Sequence, residues 1–144
     1  TLLRQPAALE QLRSRPDLVP SAVEELLRYE SPSQHTARLA PADVVLGGQL
    51  IKERQAVIAV MGAANRDPAV FTEPGCLDLA RAQNPHVAFG AGIHFCVGAP
   101  LARRELRIGL SALFRRLPGL KLAEPPRYRD AYHFHGLTAL RVTW

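Results

Sequence analysis

The sequence predicts an α+β fold, mainly α, with three main helices and several short β-ribbons. Three observations carry that expectation. Apolar residues recur at helical spacing in three separate segments. Between the second and third, short β-branched runs flank Gly47-Gly48. A stretch from Asn65 to Pro85, broken by Asp67-Pro68, Pro74-Gly75 and Asn84-Pro85, has neither periodicity.

Taken in order, the first helix begins at Pro6, a residue suited to a first helical turn, and carries Ala8, Leu9 and Leu12 on one face. It ends around Ser14–Pro16. A second starts near Ser21, where Ser21 and Glu24 have the S-x-x-E spacing of a capping box. It runs through Leu26, Leu27 and Arg28 and stops before Ser31-Pro32, because the residue preceding proline disfavours helix. Val44-Val45-Leu46, Leu50-Ile51 and Val57–Val60 read as strands. The third helix follows Gly98, with Pro100 in its first turn and a stripe of Ala102, Leu106, Leu110, Leu113 and Leu117. Pro118-Gly119 ends it, and the remainder reads as a strand or two.

Size and composition narrow the function classes. At 144 residues and 47% apolar content the chain reads as one domain, residues 1–144, with enough material for a core. Its longest apolar stretch, Ala56 to Ala64, is far short of the ~20 residues that cross a bilayer. Thr1-Leu2-Leu3-Arg4 does not read as a signal peptide, so no membrane partner and a cytoplasmic location are expected. The net charge of +5 comes mostly from arginine, but the arginines are scattered without interleaved aromatics, which argues against nucleic acid. Cys76 and Cys96 are too few for a disulfide framework, so each needs its own explanation.

The informative segment is Phe89-Gly90-Ala91-Gly92-Ile93-His94-Phe95-Cys96-Val97-Gly98. Gly90, Gly92 and Gly98 surround one cysteine just upstream of a helix. Glycine permits positive φ and the close approach of a flat ligand or another backbone. A cysteine at a helix N-terminus faces unpaired amide donors and the positive end of the helix dipole, conditions that favour a thiolate ligand for soft metals. This chemistry alone specifies a tailored cysteine loop and names no cofactor.

The string F-G-x-G-x-H-x-C-x-G resembles the haem-binding loop of the cytochrome P450 superfamily at every fixed position, and Ala99-Pro100-Leu101-Ala102-Arg103 continues it in bacterial style. The resemblance implies that Cys96 ligates the iron of haem b (iron protoporphyrin IX) as a thiolate. It further implies that Phe89 packs beside the sulfur and His94 meets a haem propionate. Arg38, five residues before Asp43, resembles the family's propionate-binding arginine, for which a bidentate guanidinium is suited. Glu25 and Arg28 form the E-x-x-R of the family's K helix, a structural lock behind the ligand loop. Arg103, Arg104 and Arg107 would lie on the face that receives a ferredoxin or flavodoxin-type electron donor. A solvated cationic helix face is the other reading of those arginines.

The implied activity is monooxygenation of a small organic substrate with dioxygen and two electrons. The alternative is a non-catalytic haem-binding or degenerate structural fragment. Only the C-terminal, haem-ligating portion of the family's fold is covered, so the isolated chain is expected to have little or no turnover and to leave apolar surface uncovered. Cys76 stands where the family's P-x-R-F arginine belongs, which would unpair Glu25 unless Arg81 or water compensates. Ile51-Lys52-Glu53-Arg54 replaces the family's I-P-x-G turn. Two metal readings remain beside haem. Cys76, His86, His94 and Cys96 match no standard zinc spacing. His133 and His135 would share one side of a strand, where adventitious surface histidines are the simpler reading.

Overall fold

A computed structural model describes residues Thr1–Trp144. Helix α1 spans Pro6–Ser14, α2 Val19–Glu30, α3 Met61–Ala64 and α4 Ala99–Arg116. The strands are β1 (Thr36–Leu39), β2 (Val44–Leu46), β3 (Gln49–Ile51), β4 (Ala56–Ala59), β5 (Lys121–Leu122), β6 (Arg127–Tyr128), β7 (Leu137–Ala139) and β8 (Val142–Thr143). They form four separate antiparallel ribbons, paired β1–β4, β2–β3, β5–β8 and β6–β7. The three main helices and the strands around Gly47-Gly48 are those expected; β1, the short helix α3 and the second C-terminal ribbon are additions that the sequence does not announce. The short helix α3 has too few residues to show a period.

Gly47 and Gly48, at φ 58° and 79°, make the two-residue turn that joins β2 to β3. Both central residues of such a turn need positive φ, and glycine adopts it without strain. In the next turn Arg54 takes φ 65° where the family pattern has glycine. The side chain there bears a steric cost that glycine would avoid.

The core lies where α1 and α2 meet the irregular segment. Leu2, Leu9, Leu12, Leu18, Val19, Ala22 and Leu79 are buried together, with Leu110 and Phe114 of α4 packed against them. A smaller cluster joins Val23 and Leu27 of α2 to Ala88, with Phe89 alongside. The stripe on α4 is only partly covered: Leu106 and Leu113 are 37% and 40% exposed. Apolar surface is thus left open, as the sequence implied.

The start of α2 differs from expectation. The helix begins at Val19, two residues before Ser21, and no side chain caps it. Ser21 instead donates to the carbonyls of Leu18 at 3.0 Å and Leu79 at 2.7 Å. Glu24 is therefore free of the capping role, and other residues use it.

Candidate cofactor site

Glu25 and Arg28 are fully buried. Arg28 binds Glu25 through Nε to Oε2 and Nη2 to Oε1, both at 2.8 Å. Its remaining N–H groups donate to the carbonyls of Asn65 (2.8 Å), Pro74 (2.9 Å) and Cys76 (3.1 Å). Every donor of the guanidinium is satisfied, the condition under which a buried ion pair is tolerable.

Glu25 also accepts from the Asp78 amide at 2.9 Å, Arg81 Nε at 3.0 Å and Asn84 Nδ2 at 3.0 Å. Burial pushes its carboxyl up, but the hydrogen bonds from Arg28, the Asp78 amide and Arg81, together with the Arg28 charge, outweigh that and hold it below the usual carboxylate range. Arg81 therefore supplies the second arginine. The substitution at Cys76 leaves no unpaired carboxylate.

The lock is tied to the ligand segment by Asn65, which sequence reasoning did not single out for a role. Its Nδ2 donates to Ser31 Oγ at 2.7 Å, at the end of α2, and its Oδ1 accepts the Val87 amide at 2.7 Å. Two residues farther on, Phe89 begins the cysteine loop. The Gly90 amide reaches the Val87 carbonyl at 2.8 Å, and the Cys96 amide reaches the Phe89 carbonyl at 2.9 Å. Gly90 and Gly92 have φ of 72° and 65°, whereas Gly98, the residue before α4, has an ordinary φ of −81°. Only two of the three glycines are required by backbone conformation. At Gly98 a Cβ would lie 3.8 Å from the Cys96 sulfur, an ordinary contact distance, so neither backbone nor packing requires glycine there.

Cys96 is exposed and unpaired. It lines a concavity of about 370 Å³ whose walls include Arg38, Phe89, Gly90, His94 and His133. Five residues singled out in the sequence, from β1, the cysteine loop and the turn Gly92–His94, thus converge on one space. Gly92 and Gly98 belong to the loop without lining that space, and Glu25 and Arg28 stand behind it. Arg38 donates to Thr36 Oγ1 at 2.9 Å and to the Ala37 carbonyl at 2.7 Å, while Asp43 is held by Lys52 and the Glu53 amide.

The chain segment bearing His133 closes one side through the Gln34 amide to the His133 carbonyl (2.9 Å) and the His135 amide to the Pro32 carbonyl (2.8 Å). His133 and His135 do not form a paired site. His133 meets His35 edge-on at 5.1 Å, and His135 stacks on Tyr128 at 4.2 Å. They precede β7, so strand alternation does not apply. The zinc set is not assembled either, since no three His, Cys, Asp or Glu side chains converge as a metal cluster.

Two further residues, missed as a pair because Glu24 was read as a cap, are Glu24 and Arg103. Arg103 Nε lies 2.9 Å from both oxygens of Glu24, and Arg107 Nη2 lies 3.5 Å from the same carboxylate. Burial raises the Glu24 carboxyl, and hydrogen bonds from His86 and Arg103 more than reverse that, leaving it lowered. Of the three arginines, Arg104 alone has no such commitment.

Comparison with known proteins turns this constellation into a family assignment. The family model for cytochrome P450 matches residues 5–125. The chain belongs to the cytochrome P450 family. It is 47% identical to the biotin biosynthesis cytochrome P450 of Bacillus subtilis (strain 168), covering 99% of this chain and 36% of that relative. It is 48% identical to nocardicin C N-oxygenase of Nocardia uniformis subsp. tsuyamanensis, covering 99% of this chain and 37% of that one. Among solved structures, P450BioI in complex with an acyl carrier protein ligated to hexadec-9Z-enoic acid superposes with a TM-score of 0.96 at 48% identity, over 99% of this chain and 37% of that one. The cytochrome P450 PksS of Bacillus subtilis 168 gives 0.94 at 41% identity, over 99% and 38%.

This P450 chain therefore spans a little over a third of the length of its curated relatives. The fold is that of the corresponding part of a P450, and the family is one of haem-dependent oxidoreductases acting on small substrates. No helix of the chain is long and apolar enough to cross a membrane.

Proposed function

We propose that Cys96 is the proximal thiolate ligand of haem b and that these residues form the haem-ligating part of a monooxygenase. One observation carries the reading: an exposed cysteine, Cys96, lines a concavity that is also lined by an aromatic residue, Phe89, and two polar ones, Arg38 and His94. The donor set fits the group. A soft sulfur suits the iron, and a guanidinium with an imidazole suits its two carboxylates. Arg38 carries no acidic partner in its hydrogen bonds, which leaves its charge for a propionate.

Bound there, haem supplies dioxygen activation by two electrons, with one oxygen atom inserted into the substrate and the other leaving as water. The chain's own residues bind and orient. Cys96 holds the metal, Arg38 and His94 hold the carboxylates, and Glu25 with Arg28 keeps the ligand loop in register through Asn65. A small organic substrate and a ferredoxin or flavodoxin-type donor belong to the complete reaction. Proton delivery and the substrate pocket draw on segments that the family resemblance assigns outside this chain, so we expect little or no turnover from it alone.

The test is the absorption spectrum of the chain after haem loading, reduction and carbon monoxide treatment. A red-shifted Soret band typical of thiolate ligation, lost in Cys96→Ala, is the expected result. A histidine-type spectrum, or no haem uptake, would sustain the non-catalytic reading. A thiolate-type band that survives Cys96→Ala refutes the ligand assignment.

A further inference from the structure

Glu24, His86 and Arg103, which have no role in the haem reading, form a connected cluster that reaches Phe89. Glu24 projects from α2, one residue before the buried lock. Both of its oxygens accept from Arg103 Nε on α4 at 2.9 Å. Its Oε2 is also 3.0 Å from His86 Nε2. The His86 side chain is only 2% exposed. Its Nδ1 accepts the Ala88 amide at 3.2 Å, and that bond assigns the ring proton to Nε2, the atom facing Glu24.

The consequence falls on the cysteine loop. With Nε fixed by the carboxylate, the Arg103 guanidinium lies over the Phe89 ring, 4.8 Å from its centroid. A cation at that distance over an aromatic face is attracted by the ring quadrupole. Phe89 in turn holds the Cys96 amide through its carbonyl at 2.9 Å and meets Phe95 edge-on at 6.4 Å. A carboxylate on α2 thereby fixes a guanidinium on α4, which seats the ring of the residue that anchors the cysteine. A plain helix-to-helix ion pair would not need the ring beneath the guanidinium or a buried imidazole to close the carboxylate.

We propose that Glu24, His86 and Arg103 are positioning residues that hold the Phe89 wall, and one fixed positive charge, against the Cys96 loop and so set the reduction potential of haem bound there. The inference rests on the haem-thiolate reading. Removing the Arg103 cation leaves the Glu24 carboxylate beside the loop without its closest counter-charge, and that shift toward negative charge disfavours the more electron-rich ferrous state, so reduction becomes harder. Folding alone would not produce that signature.

In the haem-loaded chain, Arg103→Leu is expected to shift the ferric–ferrous equilibrium about tenfold toward ferric, about 59 mV for a one-electron couple. Arg103→Lys, which keeps the charge, is expected to hold the potential close to that of the parent chain. An unchanged potential in Arg103→Leu, on a chain that keeps its thiolate-type spectrum, overturns the proposal. If the parent chain gives no such spectrum, the haem reading has failed, and hydrogen exchange decides the clamp by itself. In the haem-free chain Glu24→Gln is expected to speed exchange of the Cys96 amide about tenfold while the amides of α1 keep their rates. A Cys96 rate equal to that of the parent overturns the clamp.

Discussion

Two regions of this molecule, the buried lock on α2 and the cysteine loop, are built on opposite terms. Around the lock, Glu25, Arg28, Ser31 and Asn65 are polar and almost wholly removed from solvent, and their side chains are bonded to one another or to nearby backbone. In the cysteine loop, Ile93 and Val97 lie on either side of Cys96 in sequence and are each 98% exposed. Polar groups are inside and apolar groups outside, the reverse of what transfer free energies favour. The difference teaches where each kind of specificity resides. The lock fixes geometry by satisfying every donor of one arginine, and the loop keeps one sulfur and its apolar neighbours available to a flat partner.

The contrast is broken most severely at Glu25. Glu25→Ala leaves the Arg28 guanidinium buried without its counter-charge, and loss of one member of such a pair costs about 3–5 kcal/mol. Urea unfolding followed by circular dichroism is expected to report a loss of that size. A loss below about 1 kcal/mol would mean that water or relaxation compensates the arginine and that the lock is not what stiffens the loop.

Acid reaches the same pair without mutation. Because the folded Glu25 carboxyl is held below its ordinary range, its contribution is fully present above about pH 4.5 and is lost as pH falls through the depressed folded value. Glu24, lowered by His86 and Arg103 against the opposing effect of burial, acts in the same direction. Thermal midpoints are therefore expected to fall below about pH 4.5, and Glu25→Gln is expected to flatten the fall. Equal slopes in the two proteins would assign acid sensitivity elsewhere.

Much of this was legible in the sequence, and the reason differs by residue. Gly90 and Gly92 announced positive φ, and the cysteine loop stood out because its fixed positions, Phe89, Gly90, Gly92, His94, Cys96 and Gly98, match the family pattern. The E-x-x-R spacing placed Glu25 and Arg28 on one helix face, and the family resemblance, not the spacing, implied that the pair is a buried lock. Partners across long separations are encoded by no local pattern. Arg81, 56 residues from Glu25, was named only because the family pattern lacks its arginine at Cys76, and Arg103, 79 residues from Glu24, was not named as its partner. Glu24 was masked by a closer reading, since S-x-x-E suggests a cap wherever it occurs. The true start of α2 at Val19, with Pro20 in its first turn, left Ser21 inside the helix. The two C-terminal ribbons have strands of two or three residues, too short for alternation to register.

A milder intervention tests the cysteine loop. At Gly92, with φ 65° and nothing within 4 Å of a built Cβ, alanine meets no steric neighbour and suffers only the backbone penalty. Gly92→Ala is expected to cost about 1–2 kcal/mol, measured by the same unfolding experiment. A loss near that of Glu25→Ala would show that the loop is coupled to the lock far more tightly than its exposure suggests.

The smallest effect on stability is expected at the residue most important to the proposed chemistry. Cys96 is exposed, it lines the concavity, and only its backbone is tied into the loop. Cys96→Ala keeps the amide bond to Phe89 and should change unfolding free energy by no more than about 0.5 kcal/mol. Thermal denaturation of the haem-free chain is the measurement. A near-zero change beside a large one at Glu25 would mean that the fold holds the sulfur in place without depending on it, as a ligand site separable from its scaffold requires. A loss of several kcal/mol would instead mean that the thiol packs in the folded chain, and the space beside it would then be too small for a macrocycle.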